Sequence, residues 1–230
     1  MKIISIIPAR GGSKGLPKKN IKSFAGKPLI SYTIECAIES KQFNKIIVST
    51  ESSEIAEISK KYNVEIIKRP MSLAQDDSSI IPVIYHVMDQ LEQEFNESTI
   101  IVLLQPTSPL RIAEDIKFSI KKFFENECES LISVVEVLHP PHWFLKVNNG
   151  FLKPLLGKEN LKRKRQDFEK IYLPNGAIFI AKFETLKKYN SFFSSSTIPY
   201  VMPFERSIDI DVEIDFILAE LLYRKKRNGG

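Results

Sequence analysis

Short β-branched apolar runs recur along this chain, separated by longer amphipathic stretches, and that alternation limits its fold more than any other feature. The runs fall at residues 3–7, 45–49, 64–67, 99–104 and 131–137. Between them, residues 29–39, 53–62, 79–95 and 114–126 carry apolar side chains at helical spacing. Pro28 sits at the first turn of its helix, where a missing N–H costs little. Strands that read as nearly continuous apolar runs are buried on both faces, so the pattern predicts a mostly parallel sheet covered by helices on both sides: a Rossmann-like, three-layer α/β fold.

The rhythm breaks after residue 137. His139-Pro140-Pro141-His142 cannot continue a strand, and a polar, basic stretch follows to about residue 170 with neither sheet nor helix period. Residues 139–172 are therefore read as an excursion from the sheet. The pattern resumes with a strand at 176–181, a helix at 183–189, a short strand at 198–202 and a last helix over about 212–226. No internal repeat is present. A length of 230 residues suits one large domain, and residues 1–230 are read as one.

Composition narrows the class of function. At 43% hydrophobic and 27% charged residues, with nine Gly and thirteen Pro, the chain is neither disordered nor collagen-like. No apolar run approaches the roughly 18 residues of a membrane span, and the opening run stops at Pro8 and Arg10, too short for a secretory leader. A cytoplasmic protein without a membrane partner is expected. Cys36 and Cys128 have no CxxC partner and are read as core thiols, and His86, His139 and His142 make no metal spacing with them. The net charge of +5 suits an anionic small substrate. The densest basic run, Lys162-Arg163-Lys164-Arg165, is followed by Asp167 and Glu169 and lacks an RNA-binding aromatic motif, so no nucleic-acid partner is expected.

The chemistry concentrates at two places. The first strand runs into Pro8-Ala9-Arg10-Gly11-Gly12-Ser13-Lys14-Gly15-Leu16-Pro17-Lys18-Lys19-Asn20. This glycine-rich cationic loop stands at the carboxyl end of a strand, where open α/β sheets bind ligands. Its glycines allow backbone close to an anion, and Arg10, Lys14 and Lys19 can give charge-assisted bonds to phosphate oxygens. Neither GxxxxGK[ST] nor GxGxxG fits Gly11, Gly12 and Gly15, which argues against a P-loop NTPase and a dinucleotide dehydrogenase. Far along the chain, Asp209-Ile210-Asp211 spaces two carboxylates at i and i+2. In an extended segment these point to one side and can share a hard cation such as Mg²⁺. The same carboxylates can equally cap the helix that follows. A phosphate cradle and an oxygen-only cation site together are what nucleotidyl transfer requires.

The segment from Ile7 to Asn20 resembles the signature of the sialic-acid (acylneuraminate) cytidylyltransferases. Further blocks are similar to that family's motifs in order: Ile47-Val48-Ser49-Thr50, Lys68-Arg69-Pro70 with Leu73-Ala74 and Asp76, Leu104-Gln105-Pro106-Thr107-Ser108-Pro109-Leu110-Arg111, Arg165-Gln166, Pro174-Asn175-Gly176-Ala177 and Ser207-Ile208-Asp209-Ile210-Asp211. The resemblance implies a nucleotidyltransferase fold, a homodimer whose arm is about residues 139–172, and a reaction of CTP with a nonulosonic acid to give the CMP-sugar and pyrophosphate. It also implies roles. Ala9 to Lys14 and Lys19 resemble the triphosphate site, with Arg10, Lys14 and Lys19 as its cations, and Asn20 and Arg69 lie where the family holds cytidine. Gln105 and Arg165 match positions associated with the acidic sugar, and Asp209 and Asp211 resemble the Mg²⁺ ligands.

Chemistry adds detail to these roles. A guanidinium binds a sugar carboxylate bidentately, which Arg165 can do. Asp211 is the candidate acceptor of the attacking hydroxyl's proton. Within Asp76-Asp77-Ser78-Ser79 the expectation is an N-cap, with the Ser79 hydroxyl free to reach cytidine or sugar. One departure is Leu173, where members of the group often carry Arg, so a legionaminic-type acid stands beside N-acetylneuraminic acid. The alternatives are another acidic sugar, such as 3-deoxy-octulosonate or pseudaminic acid, and a catalytically silent nucleotide- or polyanion-binding protein.

Overall fold

The computed structural model describes residues 1–76 and 78–228. The elements in order are β1 (Ile3–Pro8), β2 (Ser23–Phe24), β3 (Lys27–Pro28), α1 (Leu29–Ser40), β4 (Lys45–Thr50), α2 (Ser53–Lys60), β5 (Glu65–Lys68), α3 (Ile80–Gln90), β6 (Ile100–Leu103), α4 (Ala113–Glu125), β7 (Ser130–Glu136), β8 (Leu145–Asn148), β9 (Phe151–Pro154), β10 (Tyr172–Lys182), α5 (Phe183–Tyr189), β11 (Thr197–Val201) and α6 (Glu213–Asn228). A seven-stranded sheet in the order β11-β7-β10-β6-β1-β4-β5 forms the centre. β1 pairs in parallel with β4 and β6, β4 with β5, and β11 with β7.

The apolar runs become strands because each can be buried on both sides. Ile4 and Ile6 of β1 pack with Ile47, Ile81, Ile84, Val87 and Leu103 beneath α3, while Ile7 packs on the opposite face with Val48 of β4 and with Ile30, Ile34, Ile116 and Ile120 of α1 and α4. These are the two interfaces of a three-layer fold. A third cluster ties the last helix to the hairpin after the glycine-rich loop: Phe24 meets Tyr32 edge-on at 5.0 Å and Phe216 at 5.5 Å. This cluster fixes where the chain segment before α6, including Asp209 and Asp211, must lie.

Two features differ from the pattern read in the sequence. β10 is longer than expected and runs antiparallel to both β6 and β7. An apolar run does not encode strand direction, and here the reversal brings residues 174–177, at the start of β10, to the rim where the parallel strands end. The excursion is also not structureless. β8 and β9 form a hairpin around Asn149 and Gly150, whose positive φ values of 51° and 79° are those of a tight two-residue turn. Asn-Gly was a readable turn signal in a stretch whose charged side chains hid the strand alternation.

A buried carboxylate fastens the edge of the sheet to α4. Asp115, 1% exposed, accepts bonds from the backbone N–H of Ile112 (3.0 Å) and from Nε and Nη2 of Arg206 (2.9 and 2.8 Å). Burial, then the nearby Asp115 charge, pushes the Tyr200 phenol up to about 12. Asp115→Ala removes a cap and a bidentate pair together, and is expected to cost about 2–4 kcal/mol. Urea unfolding checks this: the midpoint should fall at unchanged slope.

Candidate active site

The carboxyl ends of β1, β4, β5 and β6 meet at one rim of the sheet, and a cleft of about 670 Å³ opens there. Arg10, Ser13, Lys14, Lys19, Asn20, Arg69, Ser79, Gln105 and Asp211, all singled out in the sequence, line it. The loops after the strand ends deliver most of these side chains, as open α/β sheets commonly do, and the segments before α3 and α6 add Ser79 and Asp211.

Local bonds fix the glycine-rich loop. Glu51, just past β4, accepts from the Gly11 backbone N–H at 2.6 Å and from Arg69 Nε at 3.0 Å, and the Arg69 and Glu51 side chains are only 4% and 9% exposed. The Asn20 amide donates to the Arg10 carbonyl at 2.9 Å. Ala9 is wholly buried and gives its N–H to Ser49 at 3.0 Å, so it supports the site from beneath and offers the cleft no donor. Nor do the glycines act as one anion nest. Gly11 has spent its N–H on Glu51, while a Cβ on Gly15 would collide with the Asp211 carbonyl. Gly15 needs glycine because the Asp211 backbone approaches it closely, and at Gly11 a Cβ would press on the Ser52 side chain at 3.0 Å; Gly12 faces open space.

The cations are already oriented. Arg10 Nη1 and Lys14 Nζ hold the two oxygens of the Asp76 carboxylate at 2.7 and 2.9 Å. Lys14 first, helped by Arg10, holds that carboxyl below its ordinary range against an opposing desolvation. Lys19, largely buried, donates to the Ile210 carbonyl and lies 3.2 Å from Asp211 Oδ1, which joins the cationic wall to the acidic one.

On the acidic wall the helix-capping reading goes to a different residue. Asp215 Oδ2, not Asp211, accepts from the N–H groups of Asp211 and Val212, both at 3.0 Å. The Asp211 side chain is 79% exposed and faces the cleft. Asp209 lies deeper, with Oδ1 buried and lacking a partner. Burial raises its carboxyl above the usual range, and the Asp211 charge adds to that while the Thr107 hydroxyl opposes it. A buried carboxylate oxygen without a donor, beside a second carboxylate, fits a hard divalent cation such as Mg²⁺. Among the described residues no group of three or more such ligands exists, so remaining coordination would come from substrate and water.

Asn175 and Gly176 hold this wall in place. Asn175 is buried, accepts from Ser133 Oγ at 2.6 Å and donates to Ser207 Oγ at 2.9 Å. Gly176 has φ +73°, and a Cβ there would lie 2.9 Å from both Asp209 Oδ2 and Gln105 Oε1. Beneath them the buried Arg111 donates to the Ala177 carbonyl (2.7 Å) and Thr33 Oγ1 (2.9 Å). The sequence reading assigned no role to Glu51 or Arg111, and Asn175 entered it only as part of a motif. The position of Glu51 directly after a strand was the one available signal.

Arg165 is not brought into this cleft. It lies in the excursion between β9 and β10, in the turn Arg165–Asp167, half exposed and 3.8 Å from Glu136, and lines a separate cavity of about 370 Å³ with Pro140 and Phe168. Ser79 caps α3 through a bond from the Ile81 N–H at 3.4 Å, and Asp77 lies outside the described residues.

Comparison with known proteins defines the class. A CMP:2-keto-3-deoxy-manno-octonic acid synthetase complexed with CTP superposes with a TM-score of 0.74 at 15% identity, over 98% of this chain and 100% of that one. A 4-diphosphocytidyl-2C-methyl-D-erythritol synthase superposes at 0.68 and 10% identity, over 96% and 99%. This chain therefore shares the fold of these two synthases. The cytidylyltransferase family model matches residues 4–228, and the chain belongs to that family. An N-acylneuraminate cytidylyltransferase of Streptococcus agalactiae serotype III is 39% identical over 94% of this chain and 52% of its own length. This chain thus spans about half the length of that relative. A CMP-N,N'-diacetyllegionaminic acid synthase of Legionella pneumophila is 35% identical over 96% of each chain. A pseudaminic acid cytidylyltransferase of Campylobacter jejuni is 31% identical over 97% of each.

Glu51→Gln keeps the shape of the loop support but leaves the Arg69 guanidinium buried without a countercharge. We expect a loss of about 3 kcal/mol in stability. Chemical denaturation measures it, and an unchanged midpoint would remove Glu51 from the account.

Proposed function

We propose that the chain transfers CMP from CTP to the anomeric hydroxyl of an acidic nonulosonic sugar, releasing pyrophosphate. One observation carries this reading: a cleft with a pair of cations clamping a carboxylate on one wall has Asp211 on the other and, deeper beside it, Asp209 with one buried carboxylate oxygen lacking a partner. Family membership and the names of the full-length relatives support the nucleotide and the class of sugar.

In this reading Arg10, Lys14 and Lys19 take the triphosphate and stabilise charge as the α-phosphorus to bridging-oxygen bond breaks. Asn20, Arg69 and Ser79 lie together on the cleft wall and hold the cytidine. Asp209 and Asp211 hold Mg²⁺, which when bound neutralises phosphate charge and aligns the attack. Gln105 orients the sugar beside Gly176. The hydroxyl proton passes to Asp211, directly or through water.

The sugar carboxylate needs a cation beyond those assigned to the phosphates, and Arg165 is held away from the cleft in its own chain. A homodimer meets this need. The hairpin β8–β9 supports that arrangement, with Val147, Phe151 and Leu152 about 70% exposed, apolar area that a second copy would cover. Among the described residues no helix is long and apolar enough to cross a membrane, and a cytoplasmic location is part of this proposal.

Purified protein with CTP, Mg²⁺ and a panel of N-acetylneuraminic, legionaminic, pseudaminic and 3-deoxy-octulosonic acids should release pyrophosphate and yield a CMP-sugar mass with at least one nonulosonic acid. Pyrophosphate release with none of them defeats the proposal. Asp209→Asn should abolish the Mg²⁺-dependent rise in Tm expected with CTP, while leaving Tm without divalent ions equal or higher, because the substitution removes a charge that burial disfavours. A retained Mg²⁺ response would take Asp209 out of the metal site.

A further inference from the structure

The two cations at the mouth of the phosphate cradle are not free. Asp76 presents one oxygen to Arg10 and the other to Lys14, the way one edge of a phosphate would. Its segment, which follows Arg69 and the turn Met71–Leu73, is held without these contacts. Ser78 Oγ donates to the Ser72 carbonyl at 3.2 Å, and the Ser78 N–H to the Gln75 carbonyl at 3.2 Å. The carboxylate can therefore leave the cations by turning its side chain, with the loop fold intact. All three groups are partly open to water, Lys14 most of all at 81% exposure. Exposed pairs of this kind are weak and salt-sensitive, so they can be displaced by a more highly charged ligand.

We propose that Asp76 is a built-in competitor for the polyphosphate cradle, which weakens polyphosphate binding by the cost of displacing it and hastens release of the pyrophosphate product. The inference rests on the nucleotidyltransferase reading above. A triphosphate with its cation brings several charges to Arg10 and Lys14 and wins them from a single carboxylate. As pyrophosphate leaves, Asp76 returns, so the two cations are never left without a counterion and the departing anion is not rebound as tightly. A ligand without phosphates does not compete with Asp76 at all.

The test measures dissociation constants of CTP with Mg²⁺, pyrophosphate and cytidine for wild type, Asp76→Asn, Asp76→Ala and Asp76→Glu. Loss of the carboxylate should tighten CTP and pyrophosphate about three- to tenfold and by similar factors, as two exposed ion pairs allow. Cytidine should be unchanged, Asp76→Glu should stay near wild type, and the gain should shrink between 50 and 300 mM KCl. In turnover, the neutral variants should show a lower KM for CTP and stronger inhibition by pyrophosphate. Weaker CTP binding in both neutral variants would make Asp76 part of the nucleotide or metal site and overturn the proposal. Unchanged constants overturn it too, while leaving the nucleotide reading in place. A wild type that binds neither CTP nor pyrophosphate overturns both.

Discussion

Glu51 joins two pieces of chain that the cleft needs in register. One carboxylate takes the Gly11 amide from the loop after β1 and the Arg69 guanidinium from the segment after β5, and both side chains of the ion pair are nearly excluded from water. At low local dielectric such a pair is strongly oriented, and removing either partner strands a charge. With Gly11 fixed and Asn20 holding the Arg10 carbonyl, the Arg10 side chain leaves the loop in a set direction. The cationic wall proposed to take the phosphates is thus built by a buried carboxylate that need not touch the ligand.

The opposite wall is built by different means. Strand β10 reverses against β6, and its Asn175 side chain links Ser133 on β7 to Ser207 just before the paired aspartates. Arg111 clamps the Ala177 carbonyl from below, and Gly176 gives up its side chain so that Asp209 and Gln105 can approach. Lys19 then bridges the two walls through the Ile210 carbonyl and Asp211. The result is a cleft with cations on one side and carboxylates on the other, the charge separation that a polyphosphate and its metal ion complement.

Much of this was legible in the chain itself. The apolar runs placed the parallel strands within a residue or two, because strands buried on both faces leave an unbroken apolar signature. The cationic loop and Gln105 were legible because they directly follow such runs. The direction of β10 was not, since periodicity is blind to direction. The hairpin Leu145–Asn148 with Phe151–Pro154 was missed because it exposes its apolar residues and has no buried face to impose a pattern. Glu51 and Asp76 escaped for another reason: a carboxylate's role depends on which cation the fold places beside it, and Arg69 and Arg10 come from distant segments. Arg165 marks the same limit from the other side, a residue legible as a motif whose partner in its own chain is Glu136.

A crystal structure of the protein grown with CTP and Mg²⁺ addresses the central claim most directly. The account predicts triphosphate density against Arg10, Lys14 and Lys19, the Asp76 carboxylate turned away from them, and a metal ion at Asp209 and Asp211. Nucleotide bound outside this cleft, or triphosphate bound with Asp76 still bridging Arg10 and Lys14, would contradict it.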